Sequence, residues 1–70
     1  MELGDLVLVM DRRHPLLGCV GKVVGKRGEM RPGDPWLLVY VPSRMRSFLI
    51  PQSMLKTGEK AAERYEPLYP

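Results

Sequence analysis

Cys19 is the only cysteine among seventy residues, so no disulfide within the chain stiffens this fold. A lone cysteine on an apolar strand reads as a small buried hydrophobe. A catalytic thiol needs a base to ionise it, and the only histidine, His14, stands in no motif spacing to it. One cysteine cannot supply a zinc site. No apolar run approaches the ~18 residues of a membrane-spanning helix. Glu2 and Asp5 stand where a signal peptide would carry its basic flank. The expectation is a soluble, intracellular, cytoplasmic protein, with which a reduced thiol is compatible. Phosphate-cradling glycine motifs are missing as well: Gly18, Gly21 and Gly25 are too loosely spaced, and no helix is expected after them. The acids Asp5, Asp11, Glu29 and Asp34 lie beside turns or basic residues and form no acid/base motif. The reading is a non-enzyme with no cofactor, no metal and no small-molecule substrate.

Aromatic residues are scarce: one Trp, three Tyr and one Phe. A chain this short buries only about 60% of its extended-chain surface. Trp36, Tyr40 and Phe48 are therefore expected in the core, where a small domain needs them.

What the chain does have is β-branched strand material and positive charge. Residues 6–10, Leu-Val-Leu-Val-Met, form an unbroken apolar run too short for a typical helix. Residues 11–17 interrupt it with charge, a His-Pro pair and two leucines, and the strand pattern restarts at Gly18. Gly18-x-x-Gly21-x-Val23 suits a sharp turn followed by a strand that another backbone passes closely. Both faces of the first strand are apolar, which implies burial on both sides. Leu16 and Leu17 are expected to fold back as a plug, and His14 to face solvent.

The second strand is expected over residues 19–26, with a bulge or bend at Gly25. Residues 26–35 hold two glycines and two prolines, which exclude a helix, and read as the longest and most basic loop. That loop, with Lys26, Arg27 and Arg31, is the first candidate contact surface. A third strand is expected over 36–41, with Trp36, Leu38 and Tyr40 on one face and Leu37, Val39 and Val41 on the other. A short turn at 42–44 joins it in a hairpin to a fourth strand over 45–50. Residues 51–55 should make one 3₁₀ turn that points Met54 and Leu55 inward, before a very short fifth strand near Lys56. The whole is an all-β domain over residues 1–58, a small five-stranded barrel with a 3₁₀ turn before its last strand. Residues 59–70 are a short C-terminal tail. In it Glu59–Tyr65 can make a helical turn or two, supported by Glu59 and Glu63 against Lys60 and Arg64, until Pro67 stops it. Tyr65, Leu68 and Tyr69 would either dock on the barrel or engage a partner.

These residues carry a resemblance. Gly4-Asp5-x-Val7-x-Val9 followed by Gly18-x-x-Gly21-x-Val23 resembles the KOW pattern of ribosomal proteins and transcription elongation factors. The order of elements is similar to an SH3-like barrel. A KOW loop is usually short and basic, whereas residues 11–17 are longer and partly apolar. The same layout also resembles small barrel subunits peripheral to photosynthetic electron-transfer complexes: the stromal subunit of photosystem I, and a related subunit of the ferredoxin-dependent NDH complex. Val20-Gly21-Lys22-Val23 matches their second strand. That resemblance implies docking of an acidic electron carrier by basic residues.

The formal net charge of +3 hides an asymmetry. Residues 1–11 sum to −3, residues 12–56 to +7 and residues 57–70 to −1. A basic body attracts phosphate backbones or acidic protein surfaces. The candidate partner-binding residues are Arg12, Arg13, Lys22, Lys26, Arg27, Arg31, Arg44 and Arg46. Two functions follow. The chain is an accessory subunit or adaptor that docks an acidic protein surface in a larger complex. Alternatively it is a KOW-like RNA-binding protein that contacts phosphates through its basic loops. A compact patch beside exposed Leu16, Leu17 or Met30 would favour protein, and a continuous basic stripe with an exposed aromatic would favour nucleic acid.

Overall fold

The computed structural model describes residues 1–65. Five antiparallel strands form one sheet: β1 (Leu6–Val9), β2 (Val20–Arg31), β3 (Asp34–Val41), β4 (Arg46–Pro51) and β5 (Leu55–Thr57). A 3₁₀ turn, Pro42–Arg44, joins β3 to β4, and a second, Gln52–Met54, joins β4 to β5. A short helix, α1 (Glu59–Arg64), follows. Pairing runs in the order β4-β3-β2-β1-β5. The outermost strands of that order, β4 and β5, are linked through the second 3₁₀ turn, as the Pro-led stretch at 51–55 implies.

Alternation decides what is inside. Leu37, Val39 and Val41 of β3 are all fully buried, and Val7, Val9, Val23, Ile50, Leu16 and Leu55 complete the core. Met1, Cys19, Phe48 and Met54 pack against it from the edge. Burial of each such aliphatic side chain is worth about 1.5–3 kcal/mol. At Gly21 the strands pass too closely for a side chain: a Cβ would stand 2.5 Å from Val39 Cγ1 and 2.6 Å from the Tyr40 carbonyl oxygen.

Trp36 and Tyr40 are not in this core. They lie with Leu38 on the other side of β3, each half-buried. A period of two admits only one of the two apolar sets of β3 to the interior, and the interior is lined by slim aliphatic side chains. Phe48 is partly buried at the core's margin.

The expected loop over residues 26–35 is instead a β-hairpin. β2 runs on to Arg31, and Arg31 pairs with Asp34 across a two-residue turn, Pro32-Gly33. Gly33 has φ +81°, a value that a side chain disfavours and that suits the third position of a type II turn after proline. Its N–H donates to Glu29 Oε2 (3.0 Å). Glycine and proline do exclude a helix here, but a bulged strand tolerates both. Val24, Gly28 and Met30 have no opposite residue in β3, so β2 carries three irregularities along this pairing. The first of them adjoins Gly25, where a bend was expected. Bulges bend a strand and raise its twist. The hairpin tip meets the second 3₁₀ turn, where Asp34, only 6% exposed, accepts from Ser53 N–H (2.9 Å) and Ser53 Oγ–H (2.7 Å).

The first loop folds on itself. His14 N–H donates to Asp11 O, Leu17 N–H to His14 O and Cys19 N–H to Leu16 O. Leu16 reaches the core at 7% exposure, but Leu17 is left 49% exposed, because this tight series of turns brings only one of the two leucines inward. His14 is half-buried rather than solvent-facing, and its Nδ1 accepts the Leu16 N–H (3.0 Å). Met10 lies just past β1 and is exposed.

The tail forms the expected helical turn, and α1 packs against β1, β2 and β5 with Ala61 buried. Leu8, on the face of β1 opposite Val7 and Val9, is buried too, so both sides of that strand are covered. No ion pair links Glu59 or Glu63 to Lys60 or Arg64 among the described residues. Pro67, Leu68 and Tyr69 lie outside the described residues. No helix among the described residues is long and apolar enough to cross a membrane.

Two stability experiments follow from this geometry. Gly21→Val forces a side chain against Val39 and the Tyr40 carbonyl. Urea unfolding should show a loss of about 1–3 kcal/mol or more; an unchanged midpoint would show that β2 is free to move away from β3. The Ser53 hydrogen bonds, with Arg31 adding a charge, hold the Asp34 carboxyl below its ordinary 3.8. Its stabilisation is therefore complete above that value and is lost as pH falls through the lowered one. Asp34→Asn should unfold at lower temperature than wild type near pH 7, and the gap should narrow in acid. Parallel curves at all pH values would refute the lock.

Candidate binding surface

The eight candidate cations do not form one patch. Arg12 and Arg13 stand on the first loop, and Arg13 is tied to Asp11 by Nε to Oδ1 (3.2 Å) and Nη2 to Oδ2 (3.0 Å). These bonds, with the Arg13 N–H on the same carboxylate, hold the Asp11 carboxyl below its ordinary range. Lys26 Nζ lies 3.7 Å from Glu2, and Arg31 Nε lies 3.8 Å from Asp34. Three of the eight thus have acidic partners, and the hairpin arm is not the concentrated basic patch its sequence implies. Arg12, Lys22, Arg27, Arg44 and Arg46 have no ion-pair partner among the described residues.

Lys22 and Arg27 belong to the outer face of the sheet. Directly opposed residues of an antiparallel pair point to the same side. Lys22, Tyr40 and Ser47 therefore form one row across β2, β3 and β4, and Gly25, Leu38 and Leu49 form the next. Arg27 and Trp36 stand opposite each other in the row after that. Arg27 folds back along the strand: its Nη1 donates to the Lys26 carbonyl (2.9 Å) and lies 3.2 Å from where a Cβ at Gly25 would be. The absent side chain leaves room for the guanidinium beside Leu38. Leu49 is 50% exposed and Val24 45%. The outer face thus carries an apolar centre of Trp36, Leu38, Tyr40 and Leu49, with Lys22 and Arg27 along its β2 side.

Arg44 and Arg46 occupy a different place. With His14, Pro15, Leu16 and Phe48 they line a cleft of about 520 Å3 between the first loop and the start of β4. Arg46 Cζ stands 5.9 Å from the centre of the Phe48 ring, within cation–π range.

The expectation that Trp36 and Tyr40 lie in the core hides the outer face, whereas Phe48 does pack against the core from its margin. No signal in the residues separates the two faces: the set Leu37, Val39, Val41 is as apolar as the set Trp36, Leu38, Tyr40, and only the strand pairing shows that the latter meets Ser47 of β4. Among the described residues no three His, Cys, Asp or Glu side chains gather as metal ligands. Cys19 is a free, half-buried thiol against the core.

Comparison with protein-family models, with curated proteins and with solved structures finds no match for this chain.

The placement of Trp36 has a direct optical test, since it is the only tryptophan. Acrylamide should quench its fluorescence in the folded protein to an intermediate degree, more than a core indole and less than free tryptophan, because the ring is half-buried. Strong protection from quencher would return the ring to the interior.

Proposed function

We infer that this chain is a non-enzymatic docking module, an accessory subunit or adaptor of a larger complex, and that the outer face of β2, β3 and β4 is its contact surface. The observation that carries the reading is the Trp36-Leu38-Tyr40-Leu49 centre with Lys22 and Arg27 at its side, neither of them in an ion pair among the described residues. Protein interfaces place tryptophan, tyrosine and arginine where binding energy concentrates, with polar groups at the rim. The partner is a protein surface with an apolar centre and acidic groups facing β2, where charge sets orientation and on-rate. The resemblance to barrel subunits at the periphery of electron-transfer complexes supports the same class of role. The free thiol of Cys19 suits a reducing compartment, the cytoplasm.

Half-buried aromatics beside cations also favour a second reading, KOW-like RNA binding, with bases stacked on the accessible parts of Trp36 and Tyr40. Against it, Leu38 and Leu49 fill the centre of the face, and among the described residues only Lys22 and Arg27 flank the aromatic row without an ion-pair partner.

Affinity capture with the tagged full chain, with and without nuclease, separates the two. The expected result is one defined complex that survives nuclease and leaves with salt. Trp36→Ala should weaken it by about 2 kcal/mol, roughly 30-fold. Lys22→Glu with Arg27→Glu should weaken it as well, while changing fold stability by no more than about 0.5 kcal/mol. Loss of the recovered partners on nuclease treatment would establish the RNA reading. Binding indifferent to both variants would rule out this face.

A further inference from the structure

The cleft lined by His14, Pro15, Leu16, Arg44, Arg46 and Phe48 has a one-sided chemistry. Arg44 and Arg46 supply guanidinium donors and no acceptor. His14 adds to this. Its Nδ1 accepts the Leu16 N–H, which assigns the proton of the neutral ring to Nε2, so its remaining nitrogen is a donor too. No Asp or Glu lines the cleft, and neither arginine has an ion-pair partner among the described residues. Arg46 lies near the Phe48 ring and His14 is tied to the loop backbone, so two of the three donor side chains have a structural support. Two like charges share one recess that no carboxylate among the described residues lines. The cleft's volume of about 520 Å3 falls within the ~300–1,000 Å3 of small-ligand sites.

We propose that this cleft is an oxyanion site, receiving a carboxylate or phosphate group between the guanidinium groups of Arg44 and Arg46 and the His14 ring. Arginine is suited to that task because its planar fork meets two oxygens at once. Leu16 and Phe48 supply an apolar floor for the carbon portion of the molecule that bears the anion. The site stands independently of the sheet-face reading, since Lys22, Arg27 and Trp36 do not line it.

The test is an NMR titration of the isotopically labelled full chain with sodium phosphate at pH 7, with sodium chloride holding the ionic strength constant. A parallel titration uses sodium acetate. Saturable shifts confined to His14, Arg44, Arg46 and Phe48 are expected, with Lys22 and Arg27 unmoved. Arg44→Gln with Arg46→Gln should weaken the apparent Kd by about tenfold or more. Saturation by phosphate alone identifies a phosphate ester as the source of the anion, and comparable saturation by acetate identifies a carboxylate. Shifts that rise linearly without saturating, that spread over all the cations, or that persist in the double variant would overturn the site. The wild-type titration decides by itself if the double variant folds poorly.

Discussion

At Gly21 the backbone of β2 passes so close to β3 that a methyl group would stand 2.5 Å from Val39 Cγ1, and this separation goes with a narrow interior. A space lined by valines, leucines and one isoleucine is filled by slim aliphatic chains in their preferred rotamers. An indole ring would need neighbours to withdraw, and the close pass leaves little slack. The aromatic residues of β3 therefore take the outer side, where strand pairing sets them between a cationic strand and a short edge strand. A packing constraint on one face of the sheet thus produces a recognition surface on the other.

The same economy governs the ends of the fold. A chain of seventy residues has little core to spare, so polar contacts hold its extremities. The Asp34 carboxylate ties the start of β3 to the second 3₁₀ turn through two Ser53 donors, and it is buried without being left unsatisfied. The irregularities of β2 lie in the hairpin that carries Asp34, and a bulged strand bends and twists more than a regular one. On the far side α1 adds one buried alanine and covers the second face of β1.

Much of the fold was legible in the residues. The apolar run at 6–10, the glycine spacing at 18–21, the proline before the 3₁₀ turn and the short link at 42–44 each have a local cause, and local causes can be read from sequence. Three features were not legible, the first two for non-local reasons and the third in part. The hairpin at 26–35 has the composition of a loop, and only its pairing with β3 makes it a strand. The two faces of β3 are equally apolar, so the choice between them depends on what lies across the interior. The cations look alike in sequence, yet Arg13, Lys26 and Arg31 meet acids while Arg27 and Lys22 do not. For Lys26 that partner, Glu2, lies far away in the chain. The candidate cations are therefore spread over the first loop, the outer face of β2 and the cleft at Arg44 and Arg46, rather than gathered in one patch.

The pairing of β1 with β5 has a kinetic side. Val7 stands opposite Thr57, so the first strand of the chain waits for the last to complete its ladder. β2, β3 and β4 are joined by a two-residue turn and a single 3₁₀ turn, and such local closures form early. During synthesis the meander of β2, β3 and β4 can assemble while one edge of β1 still lacks its neighbour. That unpaired edge, flanked by the apolar Val7 and Val9, is the chain's exposed template for mispairing until β5 arrives.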